Sequence, residues 1–346
     1  MPDDRPAPNR AAMGPVFVVI VNYRTGRLAV ECLASLSAQV DALRGGRVIV
    51  ADNQSGDDSL EVLGAAIAAH QWTWVEVLAL PRNGGFAYGN NAAIARARAI
   101  APDFHAVILL NPDTLARDGV VARLIGHLDD HPGAGIAGAA IESEAGERVV
   151  SAHAMPTALG ELEGAAQLGV LSRMLRRHAI SPPARDTSHP CDWVSGACMA
   201  IRRQVLDAIG PFDERFFLYY EEVDFCRRAA LAGWSCWFVA EAMVVHFEGA
   251  ATGISQARRR LPPYWFASRR RFFLKSYGAF GLLAADVLRC LGRASLVVRR
   301  AFGLGGRASV ASEPLRVTRD LVASDLSALL AGEWWRIVRE RHAAPS

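Results

Sequence analysis

VFVVIVNYR, residues 16–24, decides how this chain is read. Six apolar residues, four of them β-branched valines, run unbroken from Val16 to Val21 and stop abruptly at Asn22, Tyr23 and Arg24. A short continuous run of this kind is a strand buried on both faces, as in a sheet covered by helices on either side. The same pattern returns at Val48 to Ala51, Val75 to Leu80 and Ala106 to Leu110. Between these strands, Leu28 to Gln39, Ser59 to Ala69 and Ala87 to Ala99 have helix-compatible spacing, with Asp57 or Asp58 available to cap the second. Strand and helix alternate until about Ile141, which predicts an α/β unit around a mainly parallel sheet. Right-handed crossovers place every strand C-terminus on one edge, where open α/β sheets bind ligands. The residues just past those ends are polar: Asn22-Tyr23-Arg24, Asp52-Asn53-Gln54, Arg82-Asn83-Gly84-Gly85 and Asn111-Pro112-Asp113.

Working outward, 346 residues with 51% hydrophobic composition suffice for a large core. A formal net charge of +3 gives no global reason to expect a nucleic-acid partner. The basic residues are nearly all arginine, Lys275 being the only lysine, a pattern that reflects codon bias more than a binding surface. Cys32, Cys191, Cys198, Cys226, Cys236 and Cys290 form no C-x-x-C pair, and a reduced, cytoplasmic setting is expected. Met1 to Pro15 lacks the apolar core of a secretory signal and reads as a flexible leader. No run reaches the roughly 18 apolar residues of a spanning helix. The nearest, Phe280 to Leu304, is interrupted by Asp286, Arg289, Arg293, Arg299 and Arg300, and is suited to lying on a membrane rather than crossing it.

Residues 16–255 are expected to form the catalytic domain, with a variable insertion at about 142–190 that carries some helix around Leu159 to Leu175. Order resumes with a strand-like run from Trp193 to Ile201, a helix near Arg203 to Ala208, the aromatic turn Phe212 to Tyr220 and a helix from about Glu222 to Ala232. Residues 256–346 read as a helical extension with Arg on one side and apolar residues on the other. Within it, Tyr264 to Tyr277 sets Arg269, Arg270, Arg271 and Lys275 among Phe266, Phe272 and Phe273. Such a helix fits either lipid headgroups, in peripheral contact with the inner face of the cell membrane, or packing on the core with solvated arginines.

Several of the polar positions can carry chemistry. Asp113 follows a strand and a rigid Pro112, and its carboxylate is the kind of oxygen a hard divalent cation takes together with diphosphate oxygens; alone, Asn-Pro-Asp is also an ordinary turn. Asp52 can only accept hydrogen bonds, as from a base or ribose. Asn83-Gly84-Gly85-Phe86 opens a helix, and its glycines admit a phosphate or sugar to backbone N–H groups. This stretch is not a G-x-G-x-x-G, and the chain has no G-x-x-x-x-G-K-[ST], which counts against a dinucleotide enzyme and a P-loop NTPase. Glu221, Glu222 and Asp224 follow the aromatic run Phe216 to Tyr220; on a helix, 221 and 224 share a face and 222 is turned away. Neighbouring aromatics can raise a carboxyl pKa and grip a sugar ring, though acids at a helix start also simply favour its dipole. His246 closes the apolar run Met243 to Val245, and a lone histidine is more often structural than a ligand.

Taken together, the segments resemble the family 2 inverting glycosyltransferases, in particular their rhamnosyltransferase-like branch. The resembling residues are Val18 to Tyr23, Ala51-Asp52-Asn53, Asn83 to Ala87 with Asn90-Asn91, Leu110 to Asp113, Ser195-Gly196-Ala197, Gly210 to Glu214 with Phe216-Phe217, Glu221 to Asp224, and His246, in family order over about 230 residues. The resemblance implies a glycosyltransferase-A fold, a Rossmann-like nucleotide-diphospho-sugar transferase architecture. It implies a UDP- or dTDP-sugar donor held by Asn22, Tyr23, Asp52, Asn83, Gly84, Asn91, Asn111 and Asp113. Asp113 stands at the last position of the D-x-D motif and binds Mg2+ or Mn2+, with His246 as a further metal contact. Glu222 stands at the catalytic-base position with Asp224 in support, and a glycan or lipid-linked acceptor is expected against Trp193, Gly196 and Glu221. Two departures stand out: Glu222 occupies a position where Asp is more common, and Phe247-Glu248 follow His246 where smaller residues are frequent. A working base must be ionised, so Glu222 is expected to titrate below working pH. Two other classes compete: a sugar nucleotidyltransferase, whose catalytic lysine has no counterpart in the lysine-free residues 16–50, and a non-catalytic nucleotide-sugar-binding protein.

Overall fold

The computed structural model describes residues 14–247, 260–304 and 315–343. Most of the leader expected over Met1 to Pro15 lies outside these residues, as does Glu248. The first strands and helices follow the sequence closely: β1 (Val16–Asn22), α1 (Gly26–Leu36), β2 (Val48–Asp52), α2 (Ser59–Ala69), β3 (Val75–Ala79), α3 (Gly85–Ile100) and β4 (Ala106–Leu110). Every residue of β1, β2 and β4 is buried, which is why these segments are apolar without alternation. β2, β1 and β4 pair in parallel with Val18 opposite Val48 and Ile108, and β3 adds in parallel beyond β2.

Past β4 the chain forms β5 (Thr114–Ala116), α4 (Val120–Asp130), β6 (Ala134–Glu142), β7 (Arg148–Val149) and β8 (Ala152–His153). After α5 (Ala158–Ala166) and α6 (Gly169–Met174) come β9 (His189–Cys191), β10 (Trp193–Val194), β11 (Cys198–Arg202), α7 (Arg203–Ile209), α8 (Glu221–Leu231) and β12 (Ser235–His246). The sheet order is β3-β2-β1-β4-β11-β6-β12-β5, with β11 antiparallel to β4 and β6 while β12 runs parallel to β6. One apolar layer collects α1, α2 and α4 against one sheet face; the other collects α3, α7 and α8.

β6 is a central strand that sequence reasoning left unassigned. Its sequence AGIAGAAIE has few β-branched residues, and the structure gives the reason. A Cβ at Gly138 would lie 2.4 Å from the Val194 side chain, and one at Gly135 would lie 2.6 Å from that of Val205. The layer above the strand leaves room only for small residues, so the usual strand composition is suppressed.

The chain divides into two compact units. Unit 1 takes the described residues of Met1–His153, Pro183–Phe217 and Glu221–Gly253; unit 2 takes those of Ala154–Pro182, Leu218–Tyr220 and Ile254–Ser346. Unit 2 is helical, built from α5, α6, α9 (Pro263–Ala301), α10 (Leu315–Leu330) and α11 (Glu333–Ala343). α9 breaks at Gly278, whose φ of 73° only glycine adopts without strain. The basic stretch of α9 differs from both expectations for it. Arg269 is fully buried, with Nε 3.0 Å from Glu161 and Nη1 2.8 Å from Asp286. Arg270 pairs with Asp325 at 2.7 Å and Arg271 with Glu340 at 3.1 Å. These arginines face neither lipid nor water; they form the ionic core of unit 2, where a guanidinium is tolerated only because carboxylates meet it.

Candidate active site

At the end of β1 and β2, Asn22 and Asp52 are register partners and both are buried. Asn22 Nδ2 donates to Asp52 Oδ1 (2.8 Å) and to Ser55 Oγ (3.1 Å), while Thr25 Oγ1 donates to Asn22 Oδ1 (2.8 Å). The Ser55 backbone N–H and hydroxyl both donate to the Asp52 carboxylate, so the acid is fixed rather than swinging. Ser55 also accepts from the Arg24 backbone and, through its carbonyl, from Arg24 Nε (3.0 Å). That leaves the exposed Arg24 guanidinium anchored 5.1 Å from the Tyr23 ring. Ser55 and Arg24 were not singled out as site residues from sequence. The Asp-x-x-Ser spacing, which lets a side-chain hydroxyl fold back on an acid, was the available signal.

The glycine turn is tied to the same loop. Asn53 Nδ2 donates to Asn83 Oδ1 (3.1 Å) and to the Gly85 carbonyl (2.9 Å), and the Gly84 N–H donates to Asn53 Oδ1 (3.3 Å). Gly85 has φ +86°, and a Cβ there would lie 1.9 Å from the Phe217 carbonyl oxygen, which accepts from the Phe86 N–H at 2.9 Å. Only glycine fits between α3 and the Phe216-Phe217 turn. Asn91, one turn further along α3, uses its amide on the Phe212 backbone in both directions (2.9 Å each) and on Glu214 (3.0 Å). It fastens the Gly-Pro-Phe-Asp-Glu loop to α3.

Past β4, Thr114 Oγ1 donates to the Asn111 carbonyl (2.6 Å), closing the Asn-Pro-Asp turn. β5 then pairs with β12 so that His246 lies opposite Thr114. This brings His246 Nε2 to 3.1 Å from Asp113 Oδ1 and 3.3 Å from Asn111 Nδ2, although 133 residues separate the histidine from the acid. Asp113 is buried and His246 partly so. Among the described residues no three His, Cys, Asp or Glu side chains converge as a complete metal cage.

The third cluster stands at the start of α8. Glu221 is buried and Glu222 partly so, and among the described residues nothing donates to Oε2 of either. Burial pushes the Glu221 carboxyl well above its ordinary range, with the adjacent Glu222 charge adding to the effect. Burial likewise pushes Glu222 up to about 7, against which its own and Val223's backbone N–H groups pull only partly. Glu222 was expected to titrate below working pH; it sits near neutrality. Asp224 is buried and pairs with Arg228 (2.9 Å), whose other nitrogens hold the carbonyls of Ile209 and Pro211. Immediately before Glu221, Tyr219 (φ 69°) and Tyr220 (φ 66°) occupy the left-handed region, a strained conformation for large side chains that sequence did not foretell. Within unit 2, Leu218–Tyr220 is held by α9: Ser268 donates to the Leu218 carbonyl (2.9 Å), and Tyr220 meets Phe272 with ring centroids 5.5 Å apart.

The loop between β10 and β11 joins these clusters. The Asn111 N–H donates to the Ala197 carbonyl (2.9 Å). At neighbouring Gly196 a Cβ would lie 3.3 Å from the Phe86 ring and 3.9 Å from Glu222 Cβ. Inside unit 1, Asn53 thus ties the Asp52 loop to the glycine turn, and the Asn111–Ala197 hydrogen bond ties the Asp113–His246 pair to a loop whose Gly196 lies beside Phe86 and Glu222. Trp193 is stacked on His153 with ring centroids 4.1 Å apart.

Comparison with known proteins bears on this geometry. Residues 14–271 match the family described as glycosyltransferase like family 2. The N-acetylglucosaminyl-diphospho-decaprenol L-rhamnosyltransferase of Mycobacterium tuberculosis is 31% identical over 249 residues, covering 68% of this chain and 77% of the relative. The low-salt glycan biosynthesis hexosyltransferase Agl10 of Haloferax volcanii is 25% identical over 216 residues, 61% of this chain and 60% of its own. In fold, the chain is similar to the mannosyltransferase PcManGT from Pyrobaculum calidifontis, solved with GDP-Man and Mn2+. The TM-score is 0.54 at 15% identity, over 98% of this chain and 88% of that one.

Proposed function

The chain belongs to the glycosyltransferase like family 2 and is a transferase of glycosyltransferase-A fold with C-terminal helices, and from that premise we propose that it is a metal-dependent inverting hexosyltransferase of cell-envelope polysaccharide synthesis. Its donor in this reading is a UDP- or dTDP-sugar, with rhamnose the favoured sugar because that is what the 31%-identical relative's name specifies. The acceptor is a hydroxyl of a glycan or lipid-linked saccharide, the class that the same name carries. Peripheral contact of the C-terminal helices with the membrane's inner face belongs to this reading.

The observation that carries the proposal is the linkage of Asp113–His246 to Glu222 through Asn111, Ala197 and Gly196. It supports one cleft with a cation-binding end and a base. Asp52, fixed by Asn22 and Ser55, accepts from the nucleoside; Tyr23, Asn83, Gly84, Asn91 and Asn111 shape the donor's bed. Asp113 and His246 would hold the divalent ion. A carboxylate oxygen beside an imidazole nitrogen suits Mn2+ better than Mg2+, and the ion's other positions would suit diphosphate oxygens. When bound, that ion neutralises charge growing on the leaving diphosphate.

The chain's own residues do the rest. Trp193, Gly196 and Glu221 border the acceptor, and Gly196 keeps the approach to Glu222 open because any side chain there would meet Phe86. The Glu222 carboxylate accepts the proton of the attacking hydroxyl as its oxygen closes on the anomeric carbon from the face opposite the diphosphate, inverting that centre. Asp224 acts at a distance, holding the α8 start through Arg228. The decisive test is transfer from dTDP-rhamnose and UDP-sugars to a prenyl-diphosphate saccharide with Mn2+ present, product stereochemistry being read by NMR. Turnover with retained configuration, or donor binding without hydrolysis or transfer on any acceptor, would contradict it.

A further inference from the structure

The second half of α9, residues 279–301, exposes an apolar stripe where a helix on a water-facing surface carries polar side chains. Its charged side chains other than the exposed Arg300 point inward: Asp286 and Arg289 meet Arg269 and Glu161, Arg293 is 4% exposed, and Arg299 donates to the Ala166 carbonyl. Its outward face carries Phe280, Leu283, Val287, Leu291 and Val298, and Phe302 follows in the turn beyond it; Phe280 is 83% exposed and Phe302 76%. The spacing 280, 287, 291, 298 holds one stripe over several turns. A groove of about 700 Å³ between α9 and α10, lined by Val297, Val298, Val322 and Leu326, continues it, with Arg293 and Arg319 among its walls.

This apolar surface is not spread over the chain. Eighteen large hydrophobic side chains are exposed among the described residues, and all but Leu60, Ile100, Phe217 and Leu231 belong to unit 2. Charge divides the same way. The segments of unit 2 contain 20 Arg and Lys against 8 Asp and Glu, a net +12, while those of unit 1 contain 18 against 27, a net −9. Arg173, Arg176, Arg177, Arg300, Arg319 and Arg336 are exposed.

We propose that unit 2 docks on an anionic lipid bilayer, the 280–302 face of α9 settling among the acyl chains at the interface while the surrounding arginines engage lipid headgroups. An exposed apolar stripe needs a cover. A second copy of the chain is a poor one, because it would bring two +12 bodies together. A negatively charged bilayer satisfies both features at once: apolar area is buried, and each arginine near the surface gains attraction that fades within a Debye length. No helix among the described residues is long and apolar enough to cross a membrane, so the contact is a surface one. The inference deepens the transferase reading by naming where that enzyme meets a lipid-borne acceptor, but its physics needs neither donor nor acceptor.

The test is co-sedimentation of the full chain with vesicles of phosphatidylcholine containing about 30 mol % phosphatidylglycerol, against pure phosphatidylcholine vesicles and over a salt series. The wild type binds the anionic vesicles and is released progressively by salt. V287D/L291D weakens binding about tenfold or more, with unchanged donor affinity in vesicle-free solution. L60D, an equivalent change on unit 1, leaves vesicle binding intact. If V287D/L291D does not fold, the single V298D carries the same expectation. Wild-type protein that ignores anionic vesicles overturns the proposal, as does equal binding by the variants. So does a wild-type dimer that V287D/L291D splits while vesicle binding is unchanged. Loss of donor binding without loss of vesicle binding would instead count against the transferase reading alone.

Discussion

Glu222→Gln should make the protein more stable and inactive at the same pH. Burial raises the Glu222 carboxyl from its ordinary 4.5 to about 7, so the folded state holds its proton more tightly than the unfolded chain. Wild-type stability is therefore full below pH 4.5 and declines as pH rises through 7, because ionising the side chain costs more in the fold than out of it. The shift sets a ceiling of about 3 kcal/mol, and partial exposure of the side chain brings the expected value to about 1–2 kcal/mol. Glutamine keeps the shape and cannot ionise. In urea unfolding, Glu222→Gln should match the wild type at pH 4 and exceed it at pH 8 by about that amount. Loss of the base should lower transfer by about 10²–10⁴-fold with saturating donor and acceptor. Wild-type transfer should rise with pH as the base ionises, from about a tenth ionised at pH 6 to about nine-tenths at pH 8. Equal stability of the two proteins at pH 8 would refute the buried-carboxyl argument, and undiminished transfer would remove Glu222 from the chemistry.

Other expectations follow from the same contacts. Asp113→Ala should abolish the Mn2+-dependent part of donor affinity in calorimetry, and unchanged affinity with Mn2+ present would place the cation elsewhere. Gly85→Ala forces a Cβ onto the Phe217 carbonyl at a φ of +86°, and should cost roughly 2–4 kcal/mol in thermal unfolding. Glu161→Ala strips Arg269 and Arg289 of their shared carboxylate in the interior of unit 2, and should cost about 3–5 kcal/mol by the same measurement. Gly196→Ala places a methyl 3.3 Å from the Phe86 ring on the way to Glu222, and should lower kcat with little change in donor affinity.

Where local sequence and burial agree, the fold was legible: β1, β2 and β4 read as buried strands because every residue in them is buried. β6 was not, because Gly135 and Gly138 are dictated by Val205, Trp234 and Val194, which only the folded sheet brings near. The arginines of α9 were misjudged for the same reason. Glu161, Asp286 and Asp325, which make Arg269 and Arg270 buriable, stand 17 to 108 residues away, and a basic run looks alike whether solvated or paired. The polar strand ends were predicted as a ligand edge, and the contacts among Asn22, Asp52 and Ser55 follow from that parallel register. The approach of His246 to Asp113 depends on antiparallel pairing of β5 with β12, which no local pattern announces. The pKa of Glu222 was likewise out of reach, since it depends on how completely the start of α8 is covered.

The charge arrangement favours the proposed cation. The segments of unit 1 carry a net −9, and Asp52, Asp113 and Asp224 lie buried along the proposed donor and acceptor path. A nucleotide diphosphate brings further negative charge into the same low-dielectric space, where repulsion between like charges is large. Arg24 is anchored at the β1 end, but its guanidinium is exposed and already engages the Ser55 carbonyl. A single screened arginine offsets little of a diphosphate's charge, whereas a divalent ion, which Asp113 and His246 would hold in the proposed reading, would offset more. Donor affinity should therefore rise with Mn2+ concentration until the site fills, and Arg24→Ala should weaken binding without abolishing this dependence. Were affinity independent of Mn2+ in the wild type, with Arg24→Ala losing all donor binding, arginine would be the counter-charge and the Asp113–His246 pair a structural tie.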